Sequence, residues 1–342
     1  MDSENKIIIG LDAMGGDFGP KETVKGAVMA VNESQDVSVA VFGNEEEITA
    51  CLAGAAYDKD RIQVIPTQSV IETAESPTSA IRGKKDSSMV VGLHAVRNNE
   101  ADAFVSCGNT GALLVGGQVI VGRLEKVERP ALAFMVPSVT GPVLLIDCGA
   151  NVDARPEMLV QFAQMGSIYM ENLMGLKSPR VGIINIGEEE EKGNILVKET
   201  VPLLKQAAGI NYVGSIESRA ITLGPADVLV CDAFVGNTIL KTFEGVAATL
   251  LKTIKDAMMA NAKTKIGALL VKNELKAALK EFSVEEYGGA PLLGLKHPVV
   301  KSHGNAEAVE IKNTILQTAA LVRNDICGKT GARIKEQAEK AE

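Results

Sequence analysis

The chain has 342 residues, 46% hydrophobic and 23% charged, a globular composition long enough for one large domain or two ordinary ones. A net charge of −8, no tryptophan and 4% aromatic residues argue against nucleic-acid binding, which needs a basic footprint and stacking platforms. The five cysteines (Cys51, Cys107, Cys148, Cys231 and Cys327) form no Cys-x-x-Cys pair, so neither a disulfide framework nor a zinc site is expected and a reducing cytoplasm fits.

In chain order, the polar start Met1–Lys6 enters a strand directly, without the apolar core of a signal peptide. Expected strands are Lys6–Asp12, Ser38–Gly43, Arg61–Pro66, Ala103–Cys107, Ala131–Pro137, Val143–Asp147, Arg180–Ile186, Asn211–Ile216 and Val228–Cys231. Most are continuous aliphatic runs, as in strands covered on both faces. Helical patterns lie between them, so the expected class is α/β with a mostly parallel, doubly wound sheet. The turn formers Ser138–Pro142 predict a hairpin, which fits an open mixed sheet better than a closed barrel. The uncharged run Ala103–Gly122 is long enough to span a bilayer, but its glycines, Asn109 and Thr110 read as strand, turn and helix. No linker or repeat divides the chain, so one domain over 1–342 is expected, with a helical pair over 238–282 broken near Asn261–Thr264.

Two strands end in Gly-Asn-Thr at a helix start: Gly108-Asn109-Thr110 and Gly236-Asn237-Thr238. Unpaired N–H groups and the positive helix end attract anions there. Asp12-Ala13-Met14-Gly15-Gly16-Asp17 closes the first strand with a glycine turn that is either an ordinary strand–helix turn or a close approach to ligand. It is not Gly-x-Gly-x-x-Gly, so no dinucleotide site is expected. With Asn151 in the turn after Asp147, and Asp232, these polar strand ends are expected to share one edge of the sheet and one crevice. The loop Gly187–Asn194 holds Glu188, Glu189, Glu190 and Glu191, read as solvated acids near a helix start rather than metal ligands. Its lone cation, Lys192, either meets an incoming phosphate or forms a surface salt bridge. Cys107, Cys148 and Cys231 read as small buried packing. The Gly-rich stretch Tyr287–Leu295, followed by Lys301-Ser302-His303-Gly304, is expected as a loop able to close over a ligand, with His303 either a substrate donor or a structural histidine. Ala257–Lys272 joins apolar Ile266, Leu269 and Leu270 to Lys263, Lys265 and Lys272, the composition of a membrane-contacting tip or a dimer contact.

Taken together and in order, Asp12–Asp17, Ser106–Ala112, Asp147–Asn151, Asn185–Gly193, Cys231–Asn237 and Tyr287–Ala290 closely resemble the bacterial acyl-[acyl carrier protein]:phosphate acyltransferases of phospholipid synthesis, over almost the whole chain. The resemblance implies a Rossmann-like three-layer sandwich. It implies transfer of a long-chain acyl group from acyl carrier protein to inorganic phosphate, with neither metal nor nucleotide cofactor. It also implies a cytoplasmic homodimer held peripherally at the membrane, its acyl phosphate passing to a downstream membrane glycerol-phosphate acyltransferase. Lys192 and Asn237 match the family's suggested catalytic residues. Asp12, Gly15, Gly16, Asn109, Thr110, Asn151, Asp232 and His303 are the expected substrate-binding set. Many relatives carry histidine after the first motif's last Asp, where this chain has Phe18. The competing readings are a dehydrogenase-like enzyme on a related fold and a non-enzymatic membrane scaffold for lipid synthesis.

Overall fold

A computed structural model describes residues 6–189, 191–280 and 287–341. In chain order its strands are β1 (Ile7–Asp12), β2 (Val37–Gly43), β3 (Ile62–Pro66), β4 (Ala103–Ser106), β5 (Ala131–Val136), β6 (Val143–Ile146), β7 (Arg180–Asn185), β8 (Asn211–Glu217), β9 (Val228–Val230), β10 (Ala290–Leu293) and β11 (Val299–Lys301). They form one sheet in the order β3-β2-β1-β4-β11-β10-β5-β6-β9-β7-β8.

The first arm, β3-β2-β1-β4-β11, is parallel throughout. So is the second, β6-β9-β7-β8. Between them, β11/β10, β10/β5 and β5/β6 all pair antiparallel, the last being the expected hairpin. An odd number of reversals turns the second arm against the first. The carboxyl ends of the two arms therefore point to opposite edges of the sheet. This corrects the expectation of a single shared edge. Continuous apolar strands reveal burial but carry no sign of direction.

The strands β10 and β11 are a second correction. The Gly-rich stretch expected as a closing loop supplies the middle of the sheet instead. They are only four and three residues long, and Pro291 within β10 argues against a strand in sequence.

Both faces are covered. Ile9, Leu11, Val39 and Val41 point to one core with α1 (Pro20–Glu33) and α10 (Ala308–Arg323), while Ala40, Phe42 and Phe104 point to the other with α4 (Ser88–Arg97) and α5 (Thr110–Gly116). Alternate residues of each strand serve opposite cores, which is why the runs are apolar without alternation. The result is a Rossmann-like three-layer sandwich. The uncharged run Ala103–Gly122 folds as β4, turn and helix, and no described helix is long and apolar enough to cross a membrane.

The long helix α8 (Ala233–Met259) buries only Ala233, Gly236 and Leu240, then leaves the body beside α9 (Ala262–Lys280). Asn261 starts the second helix of the pair, its Oδ1 accepting from the backbone N–H groups of Lys263 and Thr264. Residues 281–282 of the expected pair lie outside the described residues.

Candidate active site

At the carboxyl edge of the first arm, Asp12 is buried and fully engaged. Its Oδ1 accepts from Ser88 Oγ at 2.6 Å and from the Met14 and Gly15 N–H groups, and its Oδ2 from Ser106 Oγ at 2.7 Å. Burial raises its pKa, and the serine hydroxyls pull against that rise. The glycine turn is there for space and backbone shape. A Cβ on Gly15 would stand 2.6 Å from Gly108 N, and Gly16 has φ of 88°. Asn109 caps α5 through Ala112 N–H at 2.9 Å, and its amide donates to the carbonyls of Glu72, Thr73 and Glu75. Thr110 follows it, exposed.

The half-buried Lys301 ammonium donates to Cys107 O at 3.1 Å and to Ser302 O. Burial lowers its pKa, and the nearby carboxylates of Asp12 and Glu310 work against that lowering. Cys107 is pushed up to about 12 by burial, so it remains a thiol.

The second arm's edge holds the other group. Asp147 accepts five bonds: Leu132, Gly149 and Ala150 N–H on Oδ1, and Asn151 N–H and Nδ2 on Oδ2. Asn151 also donates to Pro130 O, and its carbonyl receives Ala233 N–H at 2.9 Å. Asp232 caps α8 through Val235 N–H at 2.9 Å. Gly236 allows the helix to settle on this turn, since a Cβ there would lie 1.9 Å from Asp147 O. Asn237 comes next, exposed, its side chain with no hydrogen-bond partner among the described residues.

Lys192 lies beyond β7, the strand next to β9. Its Nζ donates to Glu189 Oε1 at 2.9 Å, and that hydrogen bond raises its pKa, so it is a cation throughout the neutral range. Its carbonyl is held by Asn185 Nδ2, and Asn194 caps α7 (Ile195–Gln206) through Val197 N–H. Glu190 lies outside the described residues. Cys148 and Cys231 are buried here, with pKa values raised well above the ordinary thiol by burial, as packing residues are. A cavity of about 570 Å³ beside Asn151 is also lined by Arg129 and Arg155.

The structure thus brings Asn151, Asp232, Asn237 and Lys192 to one edge, and Asp12, Gly15, Gly16, Asn109, Thr110 and His303 to the other. The helix α8 joins them: Glu244, two turns beyond Asn237, has Oε1 at 3.3 Å from His303 Nε2. Ile266, Leu269 and Leu270 are elsewhere, exposed on α9 beyond the helical turn. Sequence reading gave no role to Ser88 or Glu244, and none of their own to Ser106 and Lys301, which stand in its motifs. The seven-residue step from Asn237 to Glu244, which keeps one helix face, was the available signal for Glu244. A lysine closing the apolar Val299-Val300 run was the signal for Lys301.

The sequence matches the family described as fatty acid synthesis protein over residues 7–329. It is 45% identical over 332 residues to the phosphate acyltransferase of Clostridium novyi (strain NT), covering 97% of this chain and 99% of that one. With the phosphate acyltransferase of Thermoanaerobacter pseudethanolicus it shares 44% identity over 331 residues, 97% of each chain. Among solved structures it is similar to the EutD phosphotransacetylase from Staphylococcus aureus, with a TM-score of 0.59, 16% identity, and 94% of this chain and 95% of that one covered. A phosphotransacetylase from Streptococcus pyogenes gives the same TM-score and identity over 93% and 94%. At such identity the likeness is one of fold.

Proposed function

The chain belongs to the fatty acid synthesis protein family and is an acyltransferase of the phosphate acyltransferase kind, and on that premise we propose that it moves a long-chain acyl group from acyl-[acyl carrier protein] to inorganic phosphate, giving acyl phosphate for phospholipid synthesis. The observation that carries this reading is the pair Lys192 and Asn237. They follow neighbouring strands at one edge; Asn237's side chain is exposed with no partner among the described residues, and Lys192's is held by the exposed Glu189.

Phosphate is already an anion at neutral pH, so it needs charge neutralisation and aim. Lys192 supplies the charge when phosphate displaces Glu189 from it; an exposed lysine–glutamate pair is weak enough to yield. Asn237 and the first N–H groups of α8 stabilise the oxyanion that forms as phosphate attacks the thioester carbonyl. Asp147, Asn151 and Asp232 contribute by fixing the turn and cap that aim this helix. On the other edge, the turns of Asp12, Gly15, Gly16, Asn109 and Thr110 present backbone to the substrate. Arg129 and Arg155 beside Asn151 favour the acidic carrier protein and its phosphate-linked arm.

The helical pair serves contact with the membrane surface. Ile266, Leu269 and Leu270 are 62%, 73% and 77% exposed, an apolar set flanked by lysines. In this reading a cytoplasmic homodimer docks peripherally and hands acyl phosphate to a membrane acyltransferase.

The test uses purified protein, palmitoyl-[acyl carrier protein] and phosphate, with hydroxylamine trapping and detection of the freed thiol. Phosphate-dependent thiol release with acyl hydroxamate is expected. Thiol release without phosphate would mean a thioesterase and overturn the reading. Lys192→Ala is expected to lower kcat/KM by about 100-fold or more with Tm unchanged, the scale of losing an electrostatic contact to the transition state; undiminished activity would remove Lys192 from the chemistry.

A further inference from the structure

The turn after β11 is unusually constrained for a surface loop. Ser302 N–H donates to Ser106 O at 3.0 Å, and Gly304 O receives Asp17 N–H at 2.7 Å. The imidazole of His303 stands edge-on to the buried Phe134, with ring centroids 6.5 Å apart. Both ends of the turn are therefore fastened to the first-arm motifs, while the ring rests on the middle of β5. About one third of the side chain remains accessible to solvent and hence to a substrate.

The other wall of this place is α8. Glu244 Oε2 accepts from Lys241 Nζ at 2.8 Å. Glu244 Oε1 is buried, carries no hydrogen bond among the described residues, and lies 3.3 Å from His303 Nε2. A small rotation of the ring brings Nε2–H into line with it. The remaining charged groups around the turn are Glu310, whose Oε1 receives the His303 backbone N–H at 3.3 Å, Lys301 and Asp17. Nδ1 of His303 has no partner among the described residues. An imidazole with one nitrogen facing a carboxylate oxygen at 3.3 Å and the other without a partner among the described residues has the layout of a positioned acid–base group.

We propose that His303 is a catalytic residue that carries the proton of the acyl transfer, with Glu244 as its positioning residue. The proposal rests on the acyl-transfer reading and adds the step that reading leaves open. Hydrogen phosphate carries one proton, and the departing thiolate requires one. As a phosphate oxygen attacks, the acyl C–O bond forms and Nδ1 takes the phosphate proton. As the C–S bond breaks, its electrons go to sulfur and Nδ1–H returns that proton to the thiolate. Hydrogen phosphate and thioester become acyl phosphate and thiol, with no other reactant, and the imidazole ends neutral as it began. Glu244 holds Nε2–H and steadies the transient imidazolium. Asn237 sits about 10 Å back along the same helix from Glu244, so one helix face offers the oxyanion donor and the support for the proton carrier to one bound substrate.

The experiment compares wild type, His303→Ala, His303→Gln and Glu244→Gln with palmitoyl-[acyl carrier protein] and with an activated aryl thioester, whose thiolate leaves without a proton. With the carrier substrate, both His303 variants are expected to lose 100-fold or more in kcat, the ordinary scale of general acid–base catalysis, with KM for phosphate little changed. Added imidazole restores part of the rate to His303→Ala. With the aryl thioester the loss shrinks below about tenfold, because the arylthiolate leaves without a proton and the phosphate proton can pass to solvent as the acyl phosphate forms. Glu244→Gln shows the same dependence on leaving group at smaller size. A His303→Gln enzyme of unchanged Tm with nearly wild-type kcat would overturn the proposal. So would an equal loss on both thioesters without imidazole rescue, which marks a structural role. If wild type itself releases no thiol in response to phosphate, the acyl-transfer reading falls first, and the role of His303 with it.

Discussion

Asp12 and Asp147 both close strands in polar turns, and every oxygen on them already receives hydrogen bonds from the groups around it. Their chemistry is architectural, because a buried acceptor that satisfies several N–H groups fixes a turn more firmly than packing can. The residues left with chemical capacity are those the fold does not consume: Lys192, Asn237 and His303. Lys301 is different again, a lysine buried at a cost. Burial lowers its pKa, so between that lowered value and 10.5 the unfolded chain binds more proton than the folded one. Folded stability should therefore rise with pH across that window. Urea denaturation at pH 7.5 and pH 10 is expected to show this rise in wild type relative to Lys301→Met, which lacks the titrating group; parallel behaviour of the two would refute it.

At the scale of elements, α8 has three tasks along one length. Its start is capped by Asp232 and seated through Gly236, its second and third turns carry Asn237, Lys241 and Glu244, and its far end leaves the body for α9. Asp232→Ala is expected to cost about 1 kcal/mol, the worth of an N-cap, measured by urea denaturation. Gly236→Ala should cost more, about 3 kcal/mol, because the new methyl meets backbone that cannot yield, and kcat should fall as Asn237 is displaced. At the other end, replacing Leu269 and Leu270 together with glutamate should abolish liposome association while stability stays within about 0.5 kcal/mol, since both side chains face solvent. Retained liposome binding would remove the membrane role from this tip.

For the whole molecule, one continuous sheet runs through both arms. We propose that residues 1–342 act as a single domain, and expect calorimetry to give one cooperative unfolding transition rather than two. We also propose that the protein is a homodimer. Sedimentation is then expected to give twice 36.0 kDa, and lysines at the exposed Val246 and Leu250 of α8 should shift it toward the monomer. A monomer at all concentrations would remove the dimer from the reading.

The layered architecture could be read from the chain alone. Runs such as Val39–Phe42 and Val143–Ile146 are apolar at every position, and only a strand covered on both faces requires that. The caps Asn109, Asn194 and Asp232 could also be read, because capping is local chemistry within three residues. The two strand-end motifs with Lys192 and Asn237 were visible for the same reason. Strand direction was not: it depends on β10, β5 and β6 pairing antiparallel across the middle of the sheet, and two of the contacts involved join segments more than a hundred residues apart. Those pairings send the polar ends to opposite edges. They also leave it to α8, a helix whose neighbours no local pattern announces, to bring Glu244 against His303. Local sequence sets what each segment can form and which atoms it must satisfy. Which of the remaining side chains meet is decided by long-range pairing, whose energy comes from burial that no short window of sequence contains.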